Sequence, residues 1–98
     1  MTPGAVRHDE EKQRFEIELD GGAMAIAEYR KDGGTIVFTH TEVPHAFEGH
    51  GIAGQLAKAG LEWAKGLGLP IVPRCKFIAA YVKKHPEYQS MVAPAASP

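Results

Sequence analysis

The chain has 98 residues, 44% of them hydrophobic and 23% charged, with a formal net charge of -1. That length predicts one domain over 1–98 that buries roughly 65% of the surface its unfolded form exposes, and the near-neutral balance offers no electrostatic footprint for nucleic acid or an anionic membrane. The single cysteine, Cys75, excludes an intrachain disulfide and a paired-cysteine zinc site; with no apolar run near the roughly 18 residues of a membrane span and no secretory pattern, a soluble cytoplasmic protein is expected.

The opening MTPGAVRHDEEKQ is polar and aperiodic and reads as a loose or weakly paired lead-in. Phe15, Ile17 and Leu19 then alternate with Glu16, Glu18 and Asp20, the period of a half-buried strand, and Asp20-Gly21-Gly22 supplies a hairpin turn. A second strand is predicted from Ala23 to Lys31. KDGGT repeats the turn chemistry, and the β-branched run TIVFTHTEV predicts a third strand from Thr35 to Val43. The three form an antiparallel meander. The third is apolar on both faces at Ile36, Val37 and Phe38 and polar at Thr39, His40, Thr41 and Glu42, so its end faces something other than core.

Three glycines and two histidines fill the junction TEVPHAFEGHGIAGQL, Thr41 to Leu56. Beyond it Ile52, Leu56, Ala59, Gly60, Trp63 and Leu67 recur at three- and four-residue steps against a stripe of Gln55, Lys58, Glu62 and Lys65, predicting an amphipathic helix from about Gly51 to Gly66. Gly66 and Gly68 stop it. LPIVPRC reads as a short buried strand, followed by a second helix from about Lys76 to Lys84 that Pro86 does not allow to continue. The tail APAASP is expected to be disordered, because small residues and prolines bury too little to offset ordering entropy. A strand, a helix and another strand in this order favour a right-handed parallel crossover, which makes the sheet mixed: an antiparallel meander, then a parallel β-α-β unit, then a C-terminal helix.

Gly49, Gly51 and Gly54 fit G-x-G-x-x-G between a predicted strand and helix. A dinucleotide site also wants an acidic residue about 20 positions on, where this chain has Arg74 and Cys75, and a P-loop wants Lys then Ser or Thr after the last glycine, where it has Gln55. What remains is general: glycines let the main chain approach a ligand, and the first amides of a helix are unpaired donors at its positive end, suited to phosphate. A connection whose glycines only relieve steric strain is the competing reading.

VPHAFEGHGIAGQL, a helix, a short strand and PRCKFIAAYVKKHPEY together resemble the small single-domain GNAT-like N-acetyltransferases, over about Phe15 to Val92 in a core of about 14–92. The resemblance implies an α/β (α+β) fold of GNAT type, acetyl coenzyme A as cofactor and acetyl transfer to an amine. It also implies that a Q/R-x-x-G-x-G/A loop holds the pyrophosphate through main-chain amides, which maps onto Glu48, Gly49, His50, Gly51, Ile52 and Ala53. Glu48 departs from the usual Gln or Arg, so its carboxylate is expected to turn away from the phosphates or to weaken their binding. Relative to larger members the chain lacks early helices that shape an acceptor site, leaving an open cleft or a partner to bind the acceptor.

Acetyl transfer needs a base for the ammonium, donors for a developing oxyanion and an acid for the departing thiolate. His40, where the third strand turns polar, is the candidate base; hydrogen bonding within the sheet edge is the alternative. The resemblance places the oxyanion donors among main-chain amides around Glu42 and Val43. Cys75, at a predicted helix start between Arg74 and Lys76, has the surroundings that stabilise a thiolate, and either carries the acetyl group or packs as a structural thiol. Tyr81 is the candidate acid, or part of an apolar face with Phe77 and Ile78. The five-residue spacing of His40, His45 and His50 fits no usual metal-ligand pattern, and His85 caps a helix or grips an adenine. The competing functions are a non-enzymatic module binding coenzyme A or a protein partner, and a nucleotide-binding fragment.

Overall fold

The computed structural model describes residues 5–93, and the expected disorder of the tail falls, from residue 94 on, outside them. Five strands lie side by side in chain order: β1 (Arg7–Asp9), β2 (Arg14–Glu18), β3 (Met24–Asp32), β4 (Thr35–Glu42) and β5 (Ile71–Pro73). The first three pairings are antiparallel and β4 with β5 is parallel. Between β4 and β5 runs helix α1 (Ile52–Leu67), and α2 (Lys76–Lys84) follows β5. This is the mixed sheet expected from the sequence, with one strand more.

That extra strand corrects the lead-in. Arg7, His8 and Asp9 pair with Glu16, Phe15 and Arg14, and the polar segment is held by side chains of both faces. His8 stacks on Phe15 at 4.1 Å and bonds the Tyr29 hydroxyl at 2.5 Å. On the other face Glu16, 6% exposed, takes Arg7 at 3.0 Å and Arg14 at 2.8 Å. A buried carboxylate is tolerable only when paired in this way.

The helices share one face of the sheet. Phe15, Ile17, Ala25, Ala27, Tyr29, Ile36 and Phe38 point from β2, β3 and β4 into a core with Leu56, Leu61, Ile78 and Val82. The alanines of β3 leave the room in which α1 approaches, and Gly60 lets the helix lie against Phe38. The buried stripe of α1 is Ile52, Leu56, Ala57, Gly60, Leu61 and Ala64, rotated from the expected one, so that Leu67 stands 48% exposed. The helix ends as its glycines predict: Gly68 adopts φ 71°, donates to Lys65 O at 3.0 Å, and Leu69 N bonds Ala64 O at 3.2 Å. After α2, a 3-10 turn at Pro86–Met91 packs Tyr88 back into the core, its hydroxyl donating to Glu62 at 2.6 Å.

Two irregularities shape what comes next. In the β3–β4 register Tyr29 faces Phe38 but Glu28 faces His40, so Thr39 is an extra residue, a bulge. A bulge resets the alternation of faces. Meanwhile β5 pairs only as far as Phe38↔Pro73, and both Arg74 N and Cys75 N close on Phe38 O at 3.0 Å. Beyond Phe38 the outer edge of β4 runs on alone while the chain turns into α2.

Candidate active site

Where β4 and β5 part, a cavity of about 490 Å³ opens, lined by Thr41 and Val43 from the strand, Phe47, Glu48, Gly49 and Gly51 from the loop, Ile52, Ala53 and Gly54 from α1, and Phe77 from α2. Its floor is the first turn of α1. Gly51 is the helix N-cap at φ 75°, ψ 11°, a left-handed conformation that carries no side-chain cap. Among the described residues no hydrogen bond occupies the amides of Ile52, Ala53 or Gly54, whereas Gln55 N already bonds Gly51 O at 3.1 Å. These are orphan donors at the positive helix end, and a Cβ placed on Gly49 or Gly51 would meet nothing within 4 Å. An open, uncapped and glycine-walled helix start fits a diphosphate.

Glu48 sits in this wall. Its carboxylate turns to His45 Nδ1 at 3.1 Å, a partner three residues back along the loop. His45 is fully in solvent, its side chain 97% exposed, so the pair is held in water and screened by it. Of the residues assigned to the cofactor, Val43, Glu48, Gly49, Gly51, Ile52 and Ala53 line the cavity; Glu42 and His50 are exposed and do not. Phe47, Gly54, Phe77 and Thr41 line it as well, although the sequence assigns none of them to the cofactor. The amides of Thr41, Glu42 and Val43 make no bond outside the β3–β4 ladder among the described residues.

The three candidate catalytic side chains lie apart. Thr41 pairs with the core residue Ala27 and points to the helix face, so the neighbouring His40 and Glu42 point to the bare face of the sheet. There His40 Nε2 meets Glu42 Oε1 at 3.1 Å, with the imidazole half exposed. Cys75 is the N-cap of α2 and packs partly into the core; its thiol donates to Thr41 Oγ1 at 3.1 Å. Tyr81 lies one turn further along α2 than Phe77, stacked on His85 at 3.9 Å, with its ring 3.8 Å from where a Cβ on Gly54 would be. Burial pushes its phenol above the usual value, with Glu87 and Glu62 adding to the shift. A phenol so shifted holds its proton across the neutral range. His85 Nδ1 bonds Tyr81 O at 2.7 Å at the end of α2, the capping geometry expected for it. Among the described residues no group of three His, Cys, Asp or Glu side chains could hold a metal ion, and no helix is long and apolar enough to cross a membrane.

Comparison with known proteins converges on one family. Residues 14–91 match the family model of the GCN5-related N-acetyl-transferases. Protein NATD1 of Mus musculus is 40% identical over 86 residues, covering 86% of this chain and 78% of that one. The Homo sapiens protein of the same name is also 40% identical over 86 residues, at 86% and 76% coverage. The NMR solution structure of a GCN5-like protein from Staphylococcus aureus matches with a TM-score of 0.74 at 27% identity, covering 99% of this chain and 95% of that one.

Proposed function

The chain belongs to the GCN5-related N-acetyltransferase family, and on that premise we propose that it binds acetyl coenzyme A where β4 and β5 part and passes the acetyl group to an amine. The observation that carries this reading is the uncapped first turn of α1 opening into the adjoining cavity. Amides from Gly49 to Gly54 hold the pyrophosphate, and the exposed edge of β4 past Phe38 receives the acyl arm. Bound there, acetyl coenzyme A supplies an activated acyl carbon with a thiolate leaving group.

The residues divide the work by face. Main-chain donors around Glu42 and Val43 meet the carbonyl oxygen as charge develops on it. Cys75, beside the cavity wall at Thr41, takes the acetyl group as a thioester. His40, steadied by Glu42 on the bare face, removes the proton of an amine that approaches from that side. Tyr81, kept protonated by burial, supplies a proton to the departing thiolate. Placing base and thiol on opposite faces suits a transfer in which donor and acceptor arrive from opposite sides of the sheet.

Calorimetry with acetyl coenzyme A, coenzyme A and NAD tests the binding half. Binding of both coenzyme A forms but not NAD is expected; tight NAD binding without coenzyme A overturns the reading. Intact-mass measurement after incubation with acetyl coenzyme A is expected to show one added acetyl group, absent in Cys75→Ser. If the Ser variant forms acetylated amine at the wild-type rate, transfer is direct and the cysteine packs.

A further inference from the structure

Cys75 is fixed in every respect but one. Its N–H donates to Phe38 O at 3.0 Å and its carbonyl accepts from Ala79 N at 3.0 Å, so the main chain is tied to β4 on one side and to α2 on the other. Rotation about χ1 is what remains, and it has three staggered wells. The thiol occupies the one in which Sγ–H reaches Thr41 Oγ1, a contact between residues 34 apart in sequence that spans the gap left where β5 ends.

Thr41 is well suited to choose that rotamer. It is β-branched and in a strand, so its own χ1 is stiff. Its hydroxyl makes no other side-chain hydrogen bond among the described residues, whereas the neighbouring Thr39 has committed its hydroxyl to Glu28 O at 3.3 Å. Thr41 also lines the cavity, and it faces the thiol only because the bulge at Thr39 turns it there.

We propose that Thr41 is the positioning residue for Cys75: its hydroxyl accepts the Sγ–H in the resting protein and, by rotating its own proton, donates to the sulfur once the thiol proton has left. This rests on the reading of Cys75 as acetyl carrier. In that step the sulfur forms a bond to the acyl carbon, the bond from that carbon to the coenzyme sulfur breaks, and the proton given up to solvent is matched by one taken up by the coenzyme thiolate. Thr41 gains and loses no proton overall.

The test compares Thr41→Val, which keeps the shape and lacks the hydroxyl, with Thr41→Ser, which keeps the hydroxyl. The rate of Cys75 alkylation by iodoacetamide is measured from pH 6 to 9 without cofactor, with circular dichroism confirming the fold. The Val variant is expected to react about tenfold more slowly at pH 7, and the Ser variant to match the wild type. A Val variant that reacts like the wild type overturns the proposal, as does a Ser variant as slow as Val, since both would make the contact mere packing. Acetylation of Cys75 in the wild-type protein, read separately by intact mass, distinguishes the two failures: its absence overturns the carrier reading, while the alkylation series judges Thr41.

Discussion

Glu48 turns its carboxylate onto His45, 3.1 Å away, while forming part of the wall in which a pyrophosphate would rest. Both partners are exposed, so the pair holds the anion loosely. Glu48→Gln, which restores an uncharged donor at this position, is expected to tighten coenzyme A binding several-fold at low ionic strength and less at 0.5 M salt. Equal affinities by calorimetry at both salt concentrations would show that the carboxylate lies outside the field of the phosphates.

At Gly51 the backbone has φ 75°, a conformation that costs an ordinary L-residue about 1–2 kcal/mol. Gly51→Val adds a branched side chain that meets no protein atom where its Cβ begins and projects into the opening. Cofactor binding is expected to vanish while the melting temperature falls by only several degrees. Binding retained at wild-type strength would remove the first turn of α1 from the site.

A Cβ on Gly60 would stand 2.8 Å from Cε1 of Phe38 and 3.3 Å from Cζ, in the middle of the core. Alanine gains about 1 kcal/mol of helix propensity, but displacing a buried ring costs about 1–3 kcal/mol. Gly60→Ala is expected to lower stability in urea by about 1 kcal/mol. A variant more stable than the wild type would mean that α1 moves away from the sheet at little cost.

His8 gives a pH dependence with a definite sign. Burial holds its imidazole below the ordinary value, with Lys31 acting in the same direction and Glu10 and Asp9 against it. The unfolded chain therefore takes up this proton first, and the stability His8 contributes is complete above the unfolded value near pH 6.5 and falls as the pH drops below it. Between pH 7 and 5 the melting temperature of His8→Phe, which keeps a ring between Phe15 and Trp63, is expected to fall less than that of the wild type. Parallel curves would assign the acid sensitivity to other groups.

The strands β2 to β4 and both helices were legible because their signals are local. Alternation of Phe15, Ile17 and Leu19 needs only five residues, and α2 begins and ends at the expected Lys76 and Lys84. β1 was not, since a run of Arg-His-Asp has no apolar period and becomes a strand only through distant partners, Glu16 and Tyr29. The glycine junction was legible as a place of backbone freedom: Gly49 and Gly51, both in left-handed conformations, precede α1, and Gly54 lies in its first turn beside the cavity. Thr41 was not, for a geometrical reason: without the extra residue at Thr39, simple alternation from Phe38 would have put His40 on the helix face and Thr41 on the bare one. One residue of slip exchanges the neighbour of the thiol. Phe47 and Phe77 were hidden for another reason, being apolar residues that reach the cavity from a loop and a second helix rather than from the motif.

Because Gly51 brings no side-chain cap to α1, the first turn of the helix is also softer than it need be. An occupant that satisfies those amides adds its binding free energy to the resistance against unfolding, by RT ln(1 + [L]/Kd). A panel of phosphorylated metabolites scanned by differential fluorimetry would thus let the helix itself report which of them it was left open to receive.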